Sequence, residues 1–421
     1  MSSTASTDAV LTTQDGVPLK VSIARAVRRR KIRAFLLVVP LLLFIVLTFV
    51  MPIMDMLYRS VENDIVSETL PETVVALKSW DQDSGQLPDE AVFAALAADM
   101  KVAAEQKTHT RVGSRLNYEK PGMSSLFRTT GRKVKRFEDG NYREQFIKAD
   151  KDWGDVSVWR TIKQFSSPIT AGYFLAALDA HRTPDGIEFK PDDQRLYLML
   201  FGRTFILSIT ITISCILLGY PIAYLLSSLP MRSSNLLMIL VLLPFWTSLL
   251  VRTSAWKVLL QNQGVINDTL VWLGIVSDDS RLALINNQTG TIIAMTHILL
   301  PFMILPLFSV MKTISPTYMR AAKSMGASDW YAFWRVYFPQ SVPGIGAGCV
   351  LVFILSIGYY ITPELVGGTS GIFISNRIAY HISSSLNWGL AAALGVILLA
   401  VVLVLYWLYD RIVGIDNVKL G

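Results

Sequence analysis

Cysteine is nearly absent from this chain of 421 residues, and charge is scarce. The two cysteines, Cys215 and Cys349, both fall inside apolar runs. The one long polar stretch has none, which excludes a disulfide framework there. Both thiols are expected to pack as small hydrophobes. Charged residues make up 17% of the sequence against 52% hydrophobic ones, where a soluble domain carries about 25% charged. Lipid is therefore expected to be part of the solvent. With four histidines and two cysteines, no group has metal-ligand spacing, and no metal is expected. No Walker-type glycine-rich loop occurs, so nucleotide is not expected to bind by that route. The chain is expected to carry no catalytic residue and no cofactor.

The charge that is present is unevenly placed. Of 39 Lys/Arg and 32 Asp/Glu, Leu57 to Arg195 holds 20 and 22, leaving 19 basic and 10 acidic residues elsewhere. The chain reads as a basic, apolar body interrupted by one near-neutral polar segment. No basic stripe interleaved with aromatics appears outside that segment. The excess positive charge is read as membrane topology, and no nucleic-acid partner is expected.

Residues 1–19 are rich in Ser and Thr without periodicity, the pattern of a disordered tail. The cluster Arg25, Arg28, Arg29, Arg30, Lys31 and Arg33 then abuts Ala34 to Met54, 21 residues without a charge. Crossing a bilayer takes about 20 apolar residues, whereas a cleaved signal peptide has an apolar region of about 7–15. A retained spanning helix is expected. Five further spans are expected at Phe205 to Leu226, Asn235 to Val251, Thr289 to Phe308, Gly344 to Ile361 and Gly389 to Tyr409. Six spans place both termini on one side. Arg232, then Lys312, Arg320, Lys323 and Arg335, then Arg411 and Lys419 would share that side with the N-terminal cluster. The opposite loops would carry Arg252, Lys257, Arg281 and Arg377. The positive-inside bias makes the first side cytoplasmic. The expected fold is an all-α membrane protein with a cytoplasmic tail at 1–33, the first span at 34–56, an extracytoplasmic segment at 57–195, a five-helix body at 196–410 and a cytoplasmic tail at 411–421.

The polar segment contains Trp80, Trp153 and Trp159. Within Asp89 to Lys107, Val92, Phe93, Leu96, Met100 and Ala103 recur at helical spacing. An ordered cap and a looser decoration are both compatible with this, and the aromatic content favours the cap.

The most informative stretch is Ser315 to Pro339, SPTYMRAAKSMGASDWYAFWRVYFP. Ser315 is a helix cap followed by Pro316 at the first helical position. Gly326 can take the positive φ that ends this helix. Ser328 caps a second helix on which Trp330, Phe333, Trp334 and Tyr337 are expected to form one aromatic face. Pro339 is expected to end it. By periodicity alone, such a helix could lie in the membrane interface or pack on its own subunit.

The spacing resembles the EAA loop of ABC-importer permeases: Ala321 and Ala322, Gly326 after three residues, then Val336, Phe338 and Pro339. Arg320 stands where that family has Glu. The resemblance implies a type I importer permease fold with six helices, in which this loop couples to an ATP-binding cassette ATPase dimer. It also implies a homologous second permease subunit, an extracytoplasmic substrate-binding protein and a bacterial inner-membrane location. The stretches Gly219 to Tyr224, Leu243 to Asn267 and Ser356 to Gly368 are similar to the spermidine/putrescine branch, first-permease type. A small, cationic solute (polyamine, opine or related amine) follows as an expectation, with an amino-acid derivative, iron or another ion as the alternative. Candidate path residues are Trp246, Thr247, Ser248, Arg252, Thr253, Trp256, Tyr359, Tyr360 and Glu364, because polar groups within membrane segments mark substrate pathways. The tryptophans fit equally well as interfacial anchors. Tyr359 stands where polyamine-type relatives commonly have an acidic residue. His297 is expected either as a proton or substrate site or as a hydrogen-bond partner between helices. Pro301 and Pro306 are expected to kink its helix. Secondary transport would need intramembrane carboxylates, which the spans nearly lack. A receptor would need a cytoplasmic output domain.

Overall fold

The computed structural model describes residues 19–183 and 186–413. The expected disordered N-terminal tail falls almost entirely outside the described residues, as do Lys419 and the Arg25 side chain. The chain divides into two units, Met1–Tyr58 and Arg59–Gly421.

The first unit is helical from Leu19 to Ile45, widens into a π-turn at Val46–Val50, and continues from Met51 towards Arg59. The Met51 N–H donates to the Val46 carbonyl, five residues back. Pro52 follows at once, and its ring would clash with the carbonyl four residues earlier in a regular helix. The widened turn relieves that clash. Ala26–Arg59 is long and apolar enough to cross a membrane, and it contains the expected span.

The second unit opens with a helical cap that has its own core. Its helices include Asp64–Thr69, Pro71–Leu77, Glu90–Glu105, His109–Asn117, Met123–Lys133, Tyr142–Ala149 and Val156–Gln164. All five residues of the expected apolar stripe are buried in Glu90–Glu105. At the centre, Trp153 is 0% exposed and meets Phe127 at 5.5 Å, Phe146 at 5.2 Å and Trp159 at 5.4 Å between ring centroids. Its indole N–H donates to Thr130 Oγ1 at 2.8 Å. The buried Asp99 carboxylate accepts the Thr73 N–H and hydroxyl, each at 2.7 Å, and the Glu72 N–H at 3.3 Å. It thereby caps Pro71–Leu77 from another helix, and a negative charge at a helix N-terminus is favoured by the helix dipole. A short antiparallel hairpin, Ala180–Thr183 with Gly186–Phe189, closes the cap.

The cap is tied to the helical body at defined points. Asp179 Oδ2 accepts the Leu198 N–H at 2.8 Å, at the start of helix Tyr197–Ser228. The Tyr118 hydroxyl donates to the Ser385 carbonyl at 3.1 Å. Gly389 sits so close to Tyr173 that a Cβ there would lie 2.4 Å from the ring.

In the body, Tyr197–Ser228, Gln288–Thr313 and Phe338–Gly358 share a core of Ile211, Cys215, Met295, Leu299, Met303 and Val352. Cys215 is buried and Cys349 half-buried, both free. At Gly348 the helices approach so closely that a Cβ would sit 2.5 Å from Met303 Sδ. Gln288–Thr313 remains one helix through Pro301 and Pro306. The last long helix is Trp388–Val413. Five helices among the described residues are long and apolar enough to cross a membrane, and six if a bent pair counts as one span.

That pair corrects the expected third span. Met231–Trp246 and Leu249–Leu259 meet at 94° rather than forming one rod through Asn235 to Val251. Pro244 falls in the 3₁₀ turn Leu243–Trp246, where its missing N–H breaks the helical ladder.

Candidate functional site: a bent loop and a polar corner

The loop at 315–339 folds as two short helices, Pro316–Ser324 and Asp329–Ala332. Ser315 Oγ accepts the Thr317 N–H and Ser328 Oγ accepts the Tyr331 N–H, each at 3.3 Å. Between them Gly326 takes φ +91°, in the left-handed region. Lys323 pairs with Asp329 across the bend. Ala322 is buried, while Arg320 and Ala321 are exposed. A depression of about 550 Å³ lies at the bend, lined by Ala322, Met325, Gly326, Ala327, Tyr331 and Val336.

The second helix departs from expectation twice. Pro339 does not end it: a π-turn at Phe333–Tyr337 leads directly into Phe338–Gly358, giving one apolar rod over Asp329–Gly358. Pro339 stands two residues after this π-turn, as Pro52 does after the other, so the same widening accommodates it. The aromatic face is also divided. Trp330 is 73% exposed and Trp334 is exposed, whereas Phe333 is half-buried and Tyr337 buried. Phe333 and Tyr337 pack on the end of Tyr197–Ser228, with Tyr224 edge-on to them at 5.7 and 5.1 Å. Tyr220 meets Phe333 at 6.3 Å and Phe338 at 5.9 Å. Its hydroxyl hydrogen-bonds Ser341 Oγ at 3.0 Å, and the Tyr337 hydroxyl pairs with Ser227 Oγ at 3.2 Å.

Edge-to-face aromatic pairs contribute about 0.5–1.5 kcal/mol each beyond area burial. Tyr224→Ala is therefore expected to loosen the loop by about 1–3 kcal/mol, from its two pairs. Faster amide hydrogen exchange over residues 329–337 would register this. Tyr224→Phe keeps both ring contacts and is expected to exchange as the wild type does.

The path candidates gather around the corner of the bent pair and the turn after Gly358. Trp246 is 88% exposed at the corner. Thr247 and Ser248 are exposed, and the Thr247 hydroxyl donates to the Pro244 carbonyl at 2.9 Å. Arg252 is half-buried, and its Nε has no hydrogen-bond partner among the described residues. Its guanidinium lies within electrostatic reach of the His297 ring and the Tyr359 hydroxyl. Thr253 is buried and bonds Thr362 Oγ1 at 3.0 Å. The Trp256 indole N–H donates to His297 Nδ1 at 3.1 Å, so His297 links two helices, and the proton of its neutral form sits on Nε2.

Tyr360 and Glu364 are exposed beyond the turn. Sequence reading missed what holds them. Asn376, buried on Ile374–Ser383, donates to Glu364 Oε2 at 2.6 Å and to the Tyr360 carbonyl at 2.9 Å. Ser375 Oγ donates to the Tyr359 carbonyl at 2.8 Å. One carboxylate is thus fixed in orientation at the turn that carries Tyr359 and Tyr360.

Comparison with known proteins identifies the family. The spermidine/putrescine transport system permease protein PotB of Escherichia coli (strain K12) is 33% identical over 222 residues, covering 52% of this chain and 80% of that protein. PotB of Haemophilus influenzae is 35% identical over 216 residues, covering 51% of this chain and 75% of its own length. A crystal structure of a bacterial alginate ABC transporter in complex with alginate pentasaccharide-bound periplasmic protein also matches. It has a TM-score of 0.42 and 19% identity, with coverage of 53% of this chain and 80% of that one. Residues 201–413 match the model of the binding-protein-dependent transport system inner membrane component. The chain belongs to that family and is a multi-pass membrane permease of an ABC importer.

Proposed function

We propose that this chain forms half of the translocation path for a small, amine-bearing solute delivered by an extracytoplasmic binding protein. Energy enters from an ATPase dimer through the loop at 315–339, and a homologous second permease completes the path. The observation that carries this reading is an exposed apolar knuckle at the loop: Met325 is 83% exposed, Trp330 73% and Tyr331 57%. Apolar groups clustered on a protruding, well-capped bend mark a protein contact. Arg320, Lys323 and Arg335 lie on the same segment, which fits a cytoplasmic position with both termini on that side. The cap then lies outside, on the face that receives the binding protein.

For the solute, polyamine is the first assignment, because the PotB relatives are named for spermidine and putrescine. The oriented Glu364 carboxylate and the Tyr359 and Tyr360 rings offer an amine a charge partner and cation–π faces. A second reading, an amino-acid derivative with a carboxylate as well as an amine, draws on the unpartnered Nε of Arg252. Calorimetry on the cognate binding protein decides between them: heat with putrescine or spermidine supports the first, and its absence removes it. In vesicles holding the full transporter, Glu364→Gln is expected to slow amine uptake about tenfold, corresponding to about 1.4 kcal/mol. Asn376→Ala is expected to reproduce part of that loss by freeing the carboxylate. Unaltered uptake by both variants would remove Glu364 from the path.

A further inference from the structure

A cleft of about 600 Å³ lies in the second unit between the cap and the start of the last apolar helix. Arg115 lines it, although only 3% of the residue is exposed. The guanidinium sits over the Tyr173 ring at 4.4 Å and the Phe165 ring at 5.1 Å. Its Nε donates to Asn63 Oδ1 at 2.9 Å and its Nη1 to Glu119 Oε1 at 2.8 Å. Nη2 has no partner among the described residues. A guanidinium has five N–H donors, and buried donors are nearly always paired. The protein therefore positions a buried cation whose acceptors are incomplete.

The other charges on the cleft define what could complete them. Arg59 and Arg111 add two cations, and Glu62, Asp64 and Glu68 add three carboxylates. The lining carries three positive and three negative groups, with Glu119 paired to Arg115 behind it, so a polyanion or a polyamine would meet like charges as well as opposite ones. A small molecule with one charge of each sign would not. Trp388, which begins the last apolar helix, and the exposed Leu386 also line the cleft. Tryptophan at the end of a spanning helix marks headgroup depth.

We propose that this cleft binds a small zwitterion of the ethanolamine-phosphate class. Its anionic end faces Arg115 and Arg111, and its primary ammonium faces Glu62, Asp64 and Glu68. The same chemistry is available from a phosphatidylethanolamine headgroup or from a free phosphoethanolamine compound. The site is separate from the solute path around Arg252 and Glu364, and the inference does not depend on the solute assignment.

Two measurements on the purified full-length chain test it. One is calorimetry in detergent with glycerophosphoethanolamine. The other is retention of phosphatidylethanolamine over phosphatidylcholine in nanodiscs, read by mass spectrometry, since choline cannot donate hydrogen bonds to the carboxylates. Binding of the soluble probe identifies a free ligand. Selective retention without soluble binding identifies the lipid. In either case Arg115→Gln is expected to weaken binding at least tenfold. The exposed pair Arg111→Gln and Glu68→Gln, which leaves the buried network intact, is expected to weaken it several-fold. Neither soluble binding nor selective retention, or binding that these variants leave unchanged, would overturn the proposal and leave water as the occupant.

Discussion

Gly326→Asp is expected to abolish ATP-driven uptake while leaving the protein in the membrane at its normal level. The backbone at Gly326 has φ +91°, a region that Asp tolerates better than most residues, at a cost of about 1–2 kcal/mol. No heavy atom beyond its immediate neighbours lies within 4 Å of where its Cβ would stand. The chain itself therefore has room for the side chain, and the fold loses little. The expected loss arises at the ATPase contact proposed for this bend. A carboxylate would stand over the depression lined by Ala322, Met325 and Tyr331, where a partner's apolar surface would have to desolvate it. Burying an unpaired carboxylate is costly enough to prevent docking. Uptake and ATP hydrolysis measured in vesicles with the ATPase present read this directly. Full transport by Gly326→Asp would remove the coupling role from the loop. Loss of the protein from the membrane would show that the bend matters to folding instead.

The loop was legible because its signals are local. Serine caps, a proline at the first helical position and a glycine at the bend each act within three residues, and the structure places all of them as the spacing predicts. The apolar helices were legible for a similar reason, since about 20 uncharged residues in lipid can only be helix or barrel strand. What sequence reading missed depends on neighbours. A helical wheel groups Trp330, Phe333, Trp334 and Tyr337, but it cannot show that Tyr220 and Tyr224 cover only two of them. Pro339 reads as a stop, whereas the expected span Asn235 to Val251 runs straight through Pro244. A preceding π-turn absorbs the first, whereas the second lies in a 94° corner. Asn376 lies outside the motif stretches quoted from the sequence, and its role appears only when the turn after Gly358 brings Glu364 beside it. The hairpin at Ala180–Thr183 and Gly186–Phe189 escaped because each strand has four residues and the second is exposed throughout.

The second large effect is expected in the cap, from Trp153→Ala. Removing a fully buried tryptophan costs about 3–5 kcal/mol through lost burial and the cavity left behind. Here it also strips ring contacts from Phe127, Phe146 and Trp159 and leaves the Thr130 hydroxyl without its donor. Against a typical domain stability of about 5–15 kcal/mol, the cap would open often enough to be cut. Limited proteolysis should release fragments within residues 60–190 while the apolar helices stay intact, because they share no core residue with this cluster. Trp153→Phe keeps much of the apolar volume and should be cut less. Protection equal to the wild type in Trp153→Ala would contradict the packing described for this core. The same variant separates the cap from the loop at 315–339. If the cap receives the binding protein, uptake should fall with the cap's integrity while basal ATP hydrolysis persists. A cap that is cut yet leaves uptake unchanged would assign it no part in transport.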